Sequence, residues 1–198
     1  MGTLLESCDD RVLFHGKRFK VDTAYDTVLL VQRLYGEDSL EAGDKVEGAL
    51  RLMTRNSWKL WRLTLMEKVK LLEKITEEKI QLPKRPQIGP PKRLMDFELD
   101  GDYIYASFRQ AYGMDLYKER GKLQWRKFCQ LLEELPEKTK MREVMRIRAM
   151  EVPEPTRYNQ KERQNILQLK SYYALPVKGR GGQRGLDMLF SALERMAG

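Results

Sequence analysis

Residues 96–153 constrain the fold of this chain more than any other stretch, because they hold three helical patterns divided by turn signals. Asp100-Gly101-Asp102 opens the first pattern, where a short carboxylate can accept from the exposed amides of a helix start. Tyr103, Ile104, Ala106, Phe108, Ala111 and Tyr112 supply a broad apolar face, and Gly113 stands at a natural C-cap position. Leu123, Trp125, Phe128, Leu131, Leu132 and Leu135 recur mostly at intervals of three and four and mark a second helix, which must stop at Pro136. Met141, Val144, Met145 and Ile147, set among Lys and Arg, mark the third. Three amphipathic helices so close together predict a small helical core, with Cys129 buried on the apolar side of the second.

Upstream, residues 11–22 read as two short runs flanking His15-Gly16-Lys17, where Gly supplies the positive φ of a tight β-hairpin turn. His15 is the only histidine and has no evident partner, so an exposed turn residue is expected. A helix then begins at Thr23, with Ala24, Val28, Val31 and Tyr35 on one stripe, Leu30 and Leu34 widening it, and Gly36 closing it. Val46, Ala49, Leu50 and Met53 mark a second helix. Asn56 and Ser57 offer the cap of a long third helix, whose stripe runs Trp58, Trp61, Leu65, Val69, Leu72 and Ile75. Core packing is the default expectation for the two tryptophans, and a surface that meets a partner is the alternative.

Residues 82–93 carry four prolines, four basic residues and no acid, which disfavours regular helix and suits an extended linker or a basic arm. Beyond a further helix at about 160–173, with Ile166, Leu169 and Tyr173 on one face, residues 177–185 hold four glycines and three basic side chains and read as a tether. It leads to an amphipathic C-terminal helix with Leu186, Leu189, Phe190, Leu193 and Met196 facing one way. So short a helix is marginal in isolation, so that face needs a cover on its own subunit or on a partner. The expected fold is therefore mainly α, with a small N-terminal β-hairpin, a multi-helix bundle and a tethered C-terminal amphipathic helix. The divisions fall at 1–82 (hairpin and helical subdomain), 83–95 (basic Pro-rich linker), 96–176 (helical core), 177–185 (tether) and 186–198.

The strings D-x-I-Y-A-S-F-x-x-x-Y-G-M-D-L over 102–116, L-x-W-x-K-F-x-x-L-L-x-x-L-P over 123–136 and R-x-M-E-V-P over 148–153 resemble a family of small tail-region proteins of long-tailed phages and prophages of Gram-positive bacteria. The resemblance covers roughly 55 residues well, with looser echoes in the N-terminal hairpin and helices and at 172–176. It implies a tail assembly chaperone encoded upstream of the tape-measure protein, which shields that long client until tail tube subunits assemble around it. The matched positions are bulky packing residues, and the resemblance supplies no catalytic residue to transfer.

Composition narrows the alternatives. The net charge of +8 invites a nucleic-acid reading, but 29 acidic residues interleave with 37 basic ones as solvated helix faces. With two cysteines far apart and one histidine, a four-ligand zinc site of Cys and His is out of reach within one subunit. Phosphate loop, nucleophile elbow and HExxH motifs are all missing, and Asp100, Asp102 and Asp115 sit at helix ends where capping accounts for them. No secretory leader or run of eighteen apolar residues is evident, so a cytoplasmic protein without cofactor or metal is expected. The reading is a non-enzymatic phage morphogenesis protein whose client contacts are Trp58, Trp61, Leu186, Leu189, Phe190 and Leu193. The partners are the tape-measure protein and tail tube subunits, with a homo-oligomer possible. A structural head–tail connector or tail subunit and a basic nucleic-acid-binding accessory protein are the alternatives.

Overall fold

The computed structural model describes residues 10–82 and 93–176. The tether, the C-terminal segment with Leu186, Leu189, Phe190 and Leu193, and most of the basic Pro-rich stretch lie outside the described residues. The described chain is mainly helical and forms two compact units: residues 10–82 with 119–130, and residues 93–118 with 131–176.

The first unit begins with the expected hairpin, β1 (Arg11–Phe14) against β2 (Lys17–Lys20), with Val12 opposite Phe19 and Leu13 opposite Arg18. Val12, Phe14 and Phe19 are buried, whereas Arg11, Leu13, Arg18 and Lys20 form the outer face. Both turn residues have positive φ, 47° at His15 and 73° at Gly16, as a type I′ turn demands. His15 is not partnerless. Its ring stacks on Phe14 and its Nδ1 lies 3.5 Å from a carboxylate oxygen of Glu67.

Three helices follow, α1 (Tyr25–Tyr35), α2 (Ala42–Met53) and α3 (Leu65–Ile75). The predicted stripes of α1 and α2 are buried, except that Leu34 is only partly buried and Leu30 is half exposed and does not face inward. The two helices approach so closely that a Cβ on Gly48 would lie 2.8 Å from a methyl of Leu34. The expected long third helix is instead two elements, a 3-10 turn at Ser57–Arg62 and α3. The break is chemical. Thr64 accepts from the Glu67 amide while Glu67 accepts from the Thr64 amide, a reciprocal cap that starts a new helix at Leu65. Val69, Leu71, Leu72 and Ile75 of α3 are core, and a π turn (Thr76–Ile80) extends it.

Residues 119–130, which lie inside the 96–176 division of the sequence, join this first unit through backbone pairing. Tyr25 N–H donates to the Leu123 carbonyl at 2.9 Å, and Trp125 N–H donates to the Thr23 carbonyl at 2.7 Å. Gly121 N–H donates to Asp26, and Phe128 stacks on Tyr25 and Trp125. Hydrophobic periodicity does not register such a pairing, because it uses main-chain groups.

The second unit packs α4 (Gly101–Tyr112) against α6 (Lys140–Ala149). Ile104 and Phe108 meet a core that includes Met141, Val144 and Ile147, and Leu132 at the end of α5 (Trp125–Glu133) and Leu135 just beyond it are buried as predicted. Ser107 is a polar pin in that core: its hydroxyl donates to the Tyr103 carbonyl and accepts from the Met141 amide at 2.9 Å. Gly113 ends α4 at φ 64°, the expected left-handed cap. Cys129, in the part of α5 that belongs to the first unit, is a buried thiol.

Candidate partner-binding surface

Trp58 and Trp61 are 64% and 73% exposed, so core packing does not account for them. In a 3-10 turn, residues three apart eclipse one another, which places both indoles on one side while Leu60 turns inward. The turn lies along the outer edge of β2. Val21 bridges Thr54, the Arg55 amide donates to the Lys20 carbonyl at 3.0 Å, and Lys59 Nζ donates to the Arg18 carbonyl at 3.0 Å. Lys59 also stands 5.6 Å from the Trp58 ring centre, and the Arg62 guanidinium 5.4 Å from that of Trp61. Leu13 on the hairpin and Leu65 and Met66 at the start of α3 add exposed aliphatic surface.

The charge around these side chains is one-sided. Residues 11–20 contain four Lys or Arg and residues 55–62 contain three, with no Asp or Glu in either stretch. Neutralisation comes only from outside them. Asp22 approaches Arg55 at 3.3 Å, and Glu67 approaches His15. The Glu67 carboxyl is held below its ordinary value first by the Thr64 amide and next by the Thr64 hydroxyl. The cations of this surface escaped the sequence reading, although the lack of acids in both stretches was visible. The Thr64-x-x-Glu67 spacing likewise signalled that residues 57–62 are a separate turn.

In the second unit several charged residues hold the backbone in place. Asp100 is not a simple helix cap: it is 1% exposed, accepts the Asp96 amide and grips Arg148 through both oxygens. Arg148 also donates to the carbonyls of Leu94 and Tyr173, so its guanidinium makes four hydrogen bonds in all. Asp115 does cap, accepting the Tyr117 amide. Helix α7 (Gln160–Tyr172) buries no side chain; Leu169, expected inward, is 43% exposed, and Leu167 and Tyr172 are exposed as well. Hydrogen bonds hold this helix, from Lys170 to the carbonyls of Arg148 and Met150 and from Arg163 to that of Pro153.

A small polar cleft in the first unit is lined by Asp10, Asp22, Arg55, Lys122 and Gln124, and its Asp22 and Arg55 pair with each other. Among the described residues no three His, Cys, Asp or Glu side chains converge as metal ligands, and no helix is long and apolar enough to cross a membrane.

The family model for the bacteriophage Gp15 protein matches residues 8–175, which includes the hairpin, the tryptophan turn and α1 to α7. No curated protein and no solved structure matches the chain. A match over so much of the sequence makes this a phage protein, and the chain belongs to the bacteriophage Gp15 protein family.

Proposed function

We propose that this phage protein is a non-enzymatic morphogenesis factor, a tail assembly chaperone that binds and solubilises the tape-measure protein until tail tube subunits enclose it. The observation that carries the reading is the pair of uncovered indoles, Trp58 and Trp61. Tryptophan brings more apolar area than any other side chain, and two exposed on one side of a short turn supply anchors for a partner. Binding of this kind needs no chemistry and suits a client with many similar apolar stripes. Leu186, Leu189, Phe190 and Leu193 extend the proposed client contact, and the host cytoplasm is its setting. The test is co-expression with the tape-measure protein, followed by pull-down and a solubility assay. A client that becomes soluble and co-purifies supports the chaperone, and a client that stays insoluble and unbound overturns it.

A structural subunit of the connector or tail is the second reading, and α7 favours it. A helix that buries none of its own side chains, with Leu167, Leu169 and Tyr172 outward, suits packing on a neighbouring copy. A discrete ring in sedimentation, together with the chain in purified virions, would support that reading over the chaperone.

A further inference from the structure

We propose that the outer face of the hairpin and the tryptophan turn beside it form one docking surface for an acidic amphipathic helix. The inference rests on the client-binding reading above and supplies the chemistry of the segment bound. Three observations converge on it. The two indoles expose roughly 300 Å2 between them, and Leu13, Leu65 and Met66 raise the apolar area towards the apolar share of a standard interface. Arg18 and Lys20 stand on the outer face of β2, and main-chain and lysine hydrogen bonds fix the turn along that same strand. The cations flanking the indoles have no acid within either stretch, so a partner of opposite charge would be steered to this face and oriented on it.

An amphipathic helix presents apolar side chains at i, i+3, i+4 and i+7, and acidic residues beside that stripe would meet Arg18, Lys20 and Arg62. Single-stranded nucleic acid is the other polyanion that basic and aromatic residues can hold. The aliphatic part of the surface favours a protein. Leu13 is 56% exposed between the arginines of the hairpin, and Leu65 and Met66 follow the turn. Bases stack on ring faces and gain little from such side chains, whereas leucines on a helix pack against them directly.

The experiment uses the full chain and three probes: a Glu-rich helical peptide with Leu at i, i+3, i+4 and i+7, its Lys-rich counterpart with the same leucines, and a single-stranded oligonucleotide. Fluorescence anisotropy should show the acidic peptide binding at least tenfold more tightly than the other two. Arg18→Glu with Lys20→Glu should weaken it tenfold or more, as should Trp58→Ser with Trp61→Ser, in proteins whose thermal melts match the wild type. If those variants melt early, the milder Arg18→Gln with Lys20→Gln and Trp58→Leu with Trp61→Leu should show the same ordering. Equal affinity for both peptides, tighter binding of the oligonucleotide, undiminished binding by the variants, or no binding of the acidic peptide each overturns the proposal. Because the tape-measure protein is absent from this assay, the co-expression result stands or falls separately.

Discussion

Arg148 and Asp100 meet in a buried bidentate pair, with Nη1 donating to Oδ2 at 2.6 Å and Nη2 to Oδ1 at 2.7 Å. The side chains are 8% and 1% exposed, so neither charge can be left to water if its partner is removed. The same guanidinium holds the Leu94 and Tyr173 carbonyls, which ties the approach to α4 and the end of α7 to α6.

Breaking this pair from one side should therefore be costly. Asp100→Asn or Arg148→Met is expected to lower unfolding stability by about 3–5 kcal/mol. Combining them should cost less than the sum, because the double variant strands no buried charge. Arg148→Lys should fail to rescue, since one ammonium cannot reproduce the fork. Urea unfolding of the wild type and the four variants checks this, and additive losses would contradict it.

The cap at α3 gives a second expectation. Thr64→Ala should cost about 1 kcal/mol. Glu67 has a folded-state pKa below its unfolded value, chiefly through the Thr64 amide. Its contribution is thus fully present above the ordinary carboxylate range and is lost as pH falls through and below that range. Thermal melts of Glu67→Gln and the wild type should converge on acidification, and a gap that persists or widens in acid would argue against the cap.

Tyr35 and Gln32 carry polar atoms that find no hydrogen-bond partner among the described residues although both side chains are buried. A buried hydroxyl without a partner costs about 1–3 kcal/mol, so Tyr35→Phe should leave stability unchanged or raise it. Burial also pushes the Tyr35 hydroxyl well above its ordinary value. The neutral form is the one the fold favours, so stability is intact below roughly pH 10 and falls as pH rises past the unfolded value. Alkaline unfolding should set in at higher pH for Tyr35→Phe than for the wild type; an earlier onset would mean that the hydroxyl is satisfied.

The three tryptophans are expected to divide by solvent contact. Trp125 is 3% exposed, against 64% and 73% for Trp58 and Trp61. Iodide should quench most of the wild-type emission, while Trp58→Phe with Trp61→Phe should leave a blue-shifted, weakly quenched signal from Trp125. Strong quenching in that variant would mean that the core around Phe128 is open.

Much of the helical scaffold was legible in the chain itself. Apolar spacing marked most of the inward faces of α1, α2, α4, α5 and α6, with Leu30 and Ala106 turned outward, because burial acts on side chains and a helix sorts them by interval. Gly113 and Gly16 marked their turns because positive φ is costly for most other residues. The surface was less legible for the same reason. The run from Trp58 to Ile75 has helical spacing throughout, and only the Thr64–Glu67 cap divides it into an exposed turn and a buried helix. Asp100 reads as a cap by position, and only the fold delivers Arg148 to it from forty-eight residues away. The pairing of residues 23–25 with 123–125 runs through main-chain groups that every residue possesses, so composition cannot encode it. The sequence by itself determined most of the apolar side chains that avoid water, since their helical spacing gathers them on one face, with Leu30, Trp58, Trp61 and Leu169 as exceptions. Tertiary structure alone decided which charges are buried together and which indoles stay uncovered, since both depend on distances between segments far apart in the chain.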